Sequence, residues 1–148
     1  MIGNRRHSRE AAMSYLYQQE LKVQSRTQRP LPFAQHFGVS EAYVSFFLKI
    51  VEGVEENKTS IDEYIEKAAE HWKLYRMSKI DLSILRMASF ELIHTPETPH
   101  KVIIDEAVEL AKEFGSQESG SFVNGILDKI AHQVRQIETP VPATAAIA

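Results

Sequence analysis

The sequence predicts an all-α protein whose helices fall into two small sub-bundles of one domain. Apolar residues recur with helical spacing in three long stripes. Tyr43, Phe46, Phe47, Ile50, Val51 and Val54 form one; Ile61, Tyr64, Ile65, Ala68, Ala69 and Trp72 form another; Val123, Ile126, Leu127, Ile130, Val134 and Ile137 form the third. Steps of three and four put each set on one side of a helix, facing a shared core. No segment alternates apolar and polar residues with period two between turn signals, so no strand is predicted. The connection Gln24–Gly38, with two prolines in its first part, is where the helices would divide into sub-bundles.

The elements follow in order from their start and stop signals. Ser8 can cap a first helix running to about Val23, and the polar, proline-containing stretch Gln24–Pro32 reads as a loop. Ser40 can cap the second long helix. Ser60 with Glu63 has capping-box spacing for the third, and Ser78 with Asp81 gives a similar start to the fourth. Thr98-Pro99 fits an N-cap followed by an N1 proline, and Gly115 fits the C-terminal cap of that fifth helix. The last helix should run from near Ser119 to near Ile137. Residues 1–138 are thus expected to form a single helical domain with an arginine-rich segment at 1–9. Residues 139–148, with two prolines and then small residues, should be a disordered tail.

Composition narrows the function. A chain of 148 residues with 43% apolar and 25% charged residues can bury a real core. It has no cysteine, so disulfides, thiolate catalysis and zinc–sulfur sites are excluded, and a reducing compartment such as the cytoplasm fits. No run approaches the roughly 18 apolar residues of a membrane span, and no apolar segment follows the N-terminal cations as a secretory signal requires. The net charge of −3 argues against indiscriminate coating of nucleic acid, so any such role must use a local patch. Residues 1–9 carry three arginines and no acid, whereas residues 52–70 are acidic. The six histidines form no metal-binding spacing, the adjacent acid pairs Asp62-Glu63 and Asp105-Glu106 point apart on a helix, and no phosphate-binding glycine loop occurs. Neither an enzymatic site nor a metal or other cofactor is predicted.

The most informative stretch runs from Phe114 to Asp128. It places a small polar loop, then the aromatic Phe122, then Asn124 and a glycine, Gly125, inside a helix. An interior helical glycine costs about 1 kcal/mol against alanine, and its presence predicts a close backbone approach there. The matching feature is Arg5-Arg6-His7-Ser8-Arg9. Cations at one end and an aromatic ring beside hydrogen-bonding groups at the other suit single-stranded nucleic acid. Arg5 and Arg9, four apart, would share a face, and Tyr17 falls two turns further on roughly the same side. Tyr17 and Phe122 each have a plain alternative as core residues.

Four segments then resemble the NusB family of bacterial transcription antitermination factors. They are Arg5 to Ala12 with Leu16-Tyr17; Asp81 to Ala88 with Glu91-Leu92; Pro99 to Lys112; and Phe122 to Lys129, in the family's order and spacing. The last two are highly specific, and the likeness spans about Arg5 to Ala131. The resemblance implies two small helical bundles without enzymatic activity. It implies binding to the single-stranded boxA element of ribosomal RNA leader transcripts, together with the small-subunit ribosomal protein NusE, to help RNA polymerase elongate in an antitermination complex.

On that resemblance Arg5, Arg6 and Arg9 match the family's arginine-rich start, with His7 departing where an arginine can occur. Tyr17 and Phe122 match RNA-contacting aromatics, Asn124 lies beside the second, and Glu118 matches an acidic loop position. Asp81 matches an acid of the protein-partner surface. Glu91, Asp105 and Glu106 are expected to join it in an acidic rim facing the basic ribosomal protein. Some family members pair through helical surfaces, so a homodimer stays open. Two other readings remain: a protein-only helical adaptor, and an RNA-binding domain related to those fused to ribosomal-RNA methyltransferases.

Overall fold

A computed structural model describes residues 4–21, 29–70 and 72–137. The described residues form no strand, as the stripes predict, and seven α-helices, one more than the start and stop signals predict. The expected tail at 139–148 and the expected first-helix end near Val23 lie outside them.

Helix α1 spans Arg5–Leu21 and begins earlier than expected. Asn4, not Ser8, supplies the cap: its Oδ1 accepts from the His7 amide at 3.0 Å. Ser8 is fully buried, and its hydroxyl donates to the Tyr43 carbonyl of the neighbouring helix at 3.4 Å. Helix α2, Pro30–Phe37, occupies part of the predicted loop. Its prolines sit in the first turn, where a missing N–H harms nothing and a fixed φ helps. Gly38 ends it at φ 87°, in the left-handed region. Helix α3, Glu41–Glu56, follows Ser40 as expected.

Helix α4 spans Lys58–Ala69. Asn57 stands at its N-cap, and Ser60, expected there, lies inside the first turn and donates back to the Asn57 carbonyl at 3.1 Å. Glu70, at φ 39°, ends α4 and turns the chain away. The apolar stripe therefore stops at Ala69, and Trp72, expected to extend it, stands 52% exposed. A short 3-10 turn, Leu74–Arg76, leads to α5, Lys79–His94. There the Ser78 hydroxyl accepts from the Asp81 amide at 3.0 Å, the cap read from the sequence. Helix α6 spans His100–Phe114 with Pro99 at its N-cap, one residue later than expected; α7 spans Ser119–Arg135.

Two packing groups result. Helices α1, α2 and α3 pack on one another, α6 and α7 pair, and α4 lies on α7. Helix α5 joins them, touching α1, α3, α4, α6 and α7, and is buried without interruption from Asp81 to Leu92. Arg135 of α7 ties down the end of α5 and the loop after it: its guanidinium donates to the carbonyls of Glu91, Leu92, Thr95 and Thr98 at 2.6–3.2 Å. The close approach expected at Gly125 is absent: a Cβ there would meet nothing within 4 Å. Glycine is required by close packing elsewhere: a Cβ at Gly53 of α3 would run into the Phe90 ring of α5, and one at Gly115 would run into Ser119 and the Ala111 carbonyl.

Candidate nucleic-acid interface

The N-terminal arginines separate into different roles. Arg5 and Arg6 are exposed, as a phosphate-binding patch requires. Arg6 reaches α6, donating to both carboxylate oxygens of Glu106 at 2.8–3.3 Å. That hydrogen bond, then the charge of Glu106, raises the Arg6 pKa above its ordinary value, so the guanidinium stays fully charged. Arg9 corrects the expectation. It is 4% exposed and donates through Nε and Nη2 to the two oxygens of Glu91, each at 2.8 Å. Glu91 is itself 1% exposed. One turn of helix carries Arg9 from the patch face into the seam between α1 and α5, where a fork-to-fork pair is the geometry that offsets burial of two charges. Arg9 therefore does not present its guanidinium to phosphate, and Glu91 does not stand on an acidic rim. Arg5 and Arg9 both lie over the Phe46 ring, 5.0 and 5.1 Å from its centroid. His7 packs on Phe37, with its Nε2 3.2 Å from that residue's carbonyl oxygen.

An open groove lies where α1, α6 and α7 meet. Arg6, Asp105, Glu106, Lys112, Ser121 and Asn124 line it. The fold thus brings together Arg6 and Asn124, expected to meet RNA, with Asp105 and Glu106, expected to meet a protein. It offers charged donors, carboxylate acceptors and one amide, which can both donate and accept. Tyr17 is half-buried further along α1. Glu118 is exposed at the N-cap position of α7. Phe122 is half-buried, and its ring meets Trp72 edge-on at 6.1 Å. Asp81 stands apart at the start of α5. It is 8% exposed, and its Oδ1 is buried with no hydrogen-bond partner. Among the described residues no group of histidines and acids is placed to hold a metal ion.

A family model described as the NusB family matches residues 6–132. The chain belongs to the NusB family. It is 45% identical to the transcription antitermination protein NusB of Acetivibrio thermocellus, covering 85% of this chain and 87% of that one. The corresponding protein of Desulfatibacillum aliphaticivorans is 41% identical over 87% and 90% of the two chains. Among solved structures, T. maritima NusB superimposes with a TM-score of 0.79 at 34% identity, covering 90% of this chain and 94% of that one. A structure of antitermination factors NusB and NusE in complex with dsRNA shares the fold, with a TM-score of 0.74 at 24% identity over 90% and 99%.

Within this NusB fold, two features escaped the sequence reading. The Arg9–Glu91 pair joins residues 82 apart, and nothing local marks them as partners. Trp72 reads as the last apolar member of a helical stripe, and only the backbone break at Glu70 brings it to the surface. No glycine or proline signals that break.

Proposed function

We propose that this chain is a transcription antitermination factor that binds boxA-type RNA of ribosomal leader transcripts together with the ribosomal protein NusE, promoting processive elongation by RNA polymerase. Family membership over residues 6–132 carries the reading. The role is binding without a chemical step, exercised in the cytoplasm where transcription takes place. On the RNA side stand Arg5, Arg6, Tyr17, Glu118, Phe122 and Asn124. Exposed arginines at the start of α1 and a groove lined by both Arg6 and Asn124 support that assignment. On the protein side stand Asp81, Asp105 and Glu106. The partnerless Oδ1 of Asp81 favours it, because a buried carboxylate oxygen without a donor is costly until a partner supplies one. Arg9 and Glu91 belong to the interior.

The Arg6–Glu106 pair lies between the two sides, so ligands on either would compete for or reinforce one contact. Titration of labelled boxA-type RNA, with and without NusE, tests the reading. Binding should be weak alone, stronger with NusE, and lost on scrambling the boxA bases. Equal affinity for the scrambled RNA would reduce the interaction to charge and overturn the assignment. Binding of NusE without any RNA binding would favour the protein-only adaptor.

A further inference from the structure

Trp72 is the chain's only tryptophan and stands on the surface, 52% exposed. Its ring meets Phe122 with an interplanar angle of 79°. Phe122 is half-buried against the core, so the pair gives Trp72 a fixed aromatic neighbour while leaving much of it in water. Gly125 and Lys129 lie three and seven residues beyond Phe122, on the same side of α7. Gly125 is exposed, and a Cβ there would meet no atom, so nothing in the packing of the fold asks for glycine at a position where alanine is better by about 1 kcal/mol. Lys129 ties this side of α7 to the end of α4: its Nζ donates to the Ala68 carbonyl at 3.2 Å and lies 3.8 Å from Glu70.

The segment that follows, Trp72-Lys73-Leu74-Tyr75-Arg76, has two exposed cations, a second exposed aromatic in Tyr75, and no acid, in a chain of net charge −3. Aromatic faces, bare backbone and local positive charge are what an unpaired nucleic-acid strand uses. A basic protein would be repelled by the same cations.

Resting on the RNA-binding reading above, we infer that Trp72 and Phe122 form a base-stacking site beside the open backbone of Gly125, taking one unpaired RNA base, with Lys73 and Arg76 contacting its phosphates. Gly125 leaves space for the base, and Trp72 extends the strand's path from α7 onto the turn after α4.

The single tryptophan makes the site directly observable. With NusE saturating, boxA-type RNA should quench Trp72 emission with the same midpoint as the anisotropy of labelled RNA. Trp72→Ala should weaken binding roughly 5- to 150-fold, the range for one stacked base, and Trp72→Phe should retain most of the affinity. Gly125→Ala should raise the melting temperature while weakening RNA binding; a purely structural glycine would change the melting temperature alone. Normal anisotropy with unchanged emission and unimpaired Trp72→Ala would overturn the stacking site and leave the RNA reading standing. No RNA binding by the wild-type protein would instead overturn the RNA reading itself. Emission that answers NusE but not RNA would assign this surface to the protein partner and overturn the proposal.

Discussion

Arg6 and Arg9 are three residues apart on one helix, yet they answer to different forces. Arg6 is in water, held to Glu106 by a forked contact that solvent and salt weaken. Arg9 is sealed against Glu91, with Glu106 a further carboxylate 3.9 Å from its Nη1, and the buried charges are tolerable because they are paired. Removing one member of such a pair leaves an uncompensated buried charge, at about 3–5 kcal/mol. Arg9→Ala should therefore lower stability by about that amount in urea unfolding. Joint replacement by Arg9→Met and Glu91→Leu should recover most of the loss. Arg6→Ala should leave the melting temperature near wild type, weaken RNA binding across sequences and reduce the salt slope by about one counterion. If Arg9→Ala unfolds at the wild-type urea concentration, the buried pair does not hold α1 to α5. Spacing alone could not separate these arginines, because the acid that claims Arg9 lies on α5 and the one that holds Arg6 lies on α6.

At the scale of elements, α5 organises the molecule, and α3 crosses it with Gly53 against the Phe90 ring. Gly53→Ala replaces a residue of poor helix propensity by the best one, which in an open helix would stabilise. Here the added methyl has no room, and overpacking should outweigh propensity, giving a net loss of about 1–3 kcal/mol. A companion Phe90→Leu, which removes the ring, should relieve much of the Gly53→Ala defect; strictly additive losses would mean that the two sites do not collide. Helices α3, α4 and α7 were legible because each buries an apolar stripe, and α5, buried on all sides, because Ser78 could be read as its cap from the local Asp81. Helix α2 was not legible. It has eight residues, and Pro30 and Pro32 signal a loop unless they are known to lie in a first turn. Gly125 misled for a related reason: sequence marks the missing side chain but not what approaches it. Of the candidate site, exposed Arg5 and Arg6 and the Phe122 region were readable, while Trp72 was hidden by a helical pattern that the backbone abandons at Glu70.

Across the whole molecule, charge also ties helices together. Arg86 of α5 donates to both oxygens of Asp62 on α4 at 2.8 and 3.0 Å and to Glu20 on α1 at 2.9 Å. Lys58 and Lys79 lie 3.6 and 3.5 Å from the same Glu20. Partial burial pushes the Glu20 carboxyl up, but the hydrogen bond and charge of Arg86, with the two lysines, outweigh it and hold the pKa below its ordinary 4.5. Folding therefore favours ionised Glu20. Its contribution is fully present above the ordinary value and is lost as pH falls through the lower folded value. Glu55 has the opposite sign: burial, then repulsion from Glu52, raises its pKa, so protonation relieves a strain and adds stability as pH falls. The network around Arg86 joins three helices and Glu55 joins none by an ion pair among the described residues, so the Glu20 effect should dominate. Urea unfolding between pH 7 and pH 3 should show stability falling on the acid side. Glu20→Gln should be less stable at pH 7, and its curve should converge on the wild type as pH drops below 4.5. Two curves that stay parallel down to pH 3 would show that Glu20 titrates alike in the folded and unfolded chain, and that Arg86 is held by Asp62 alone.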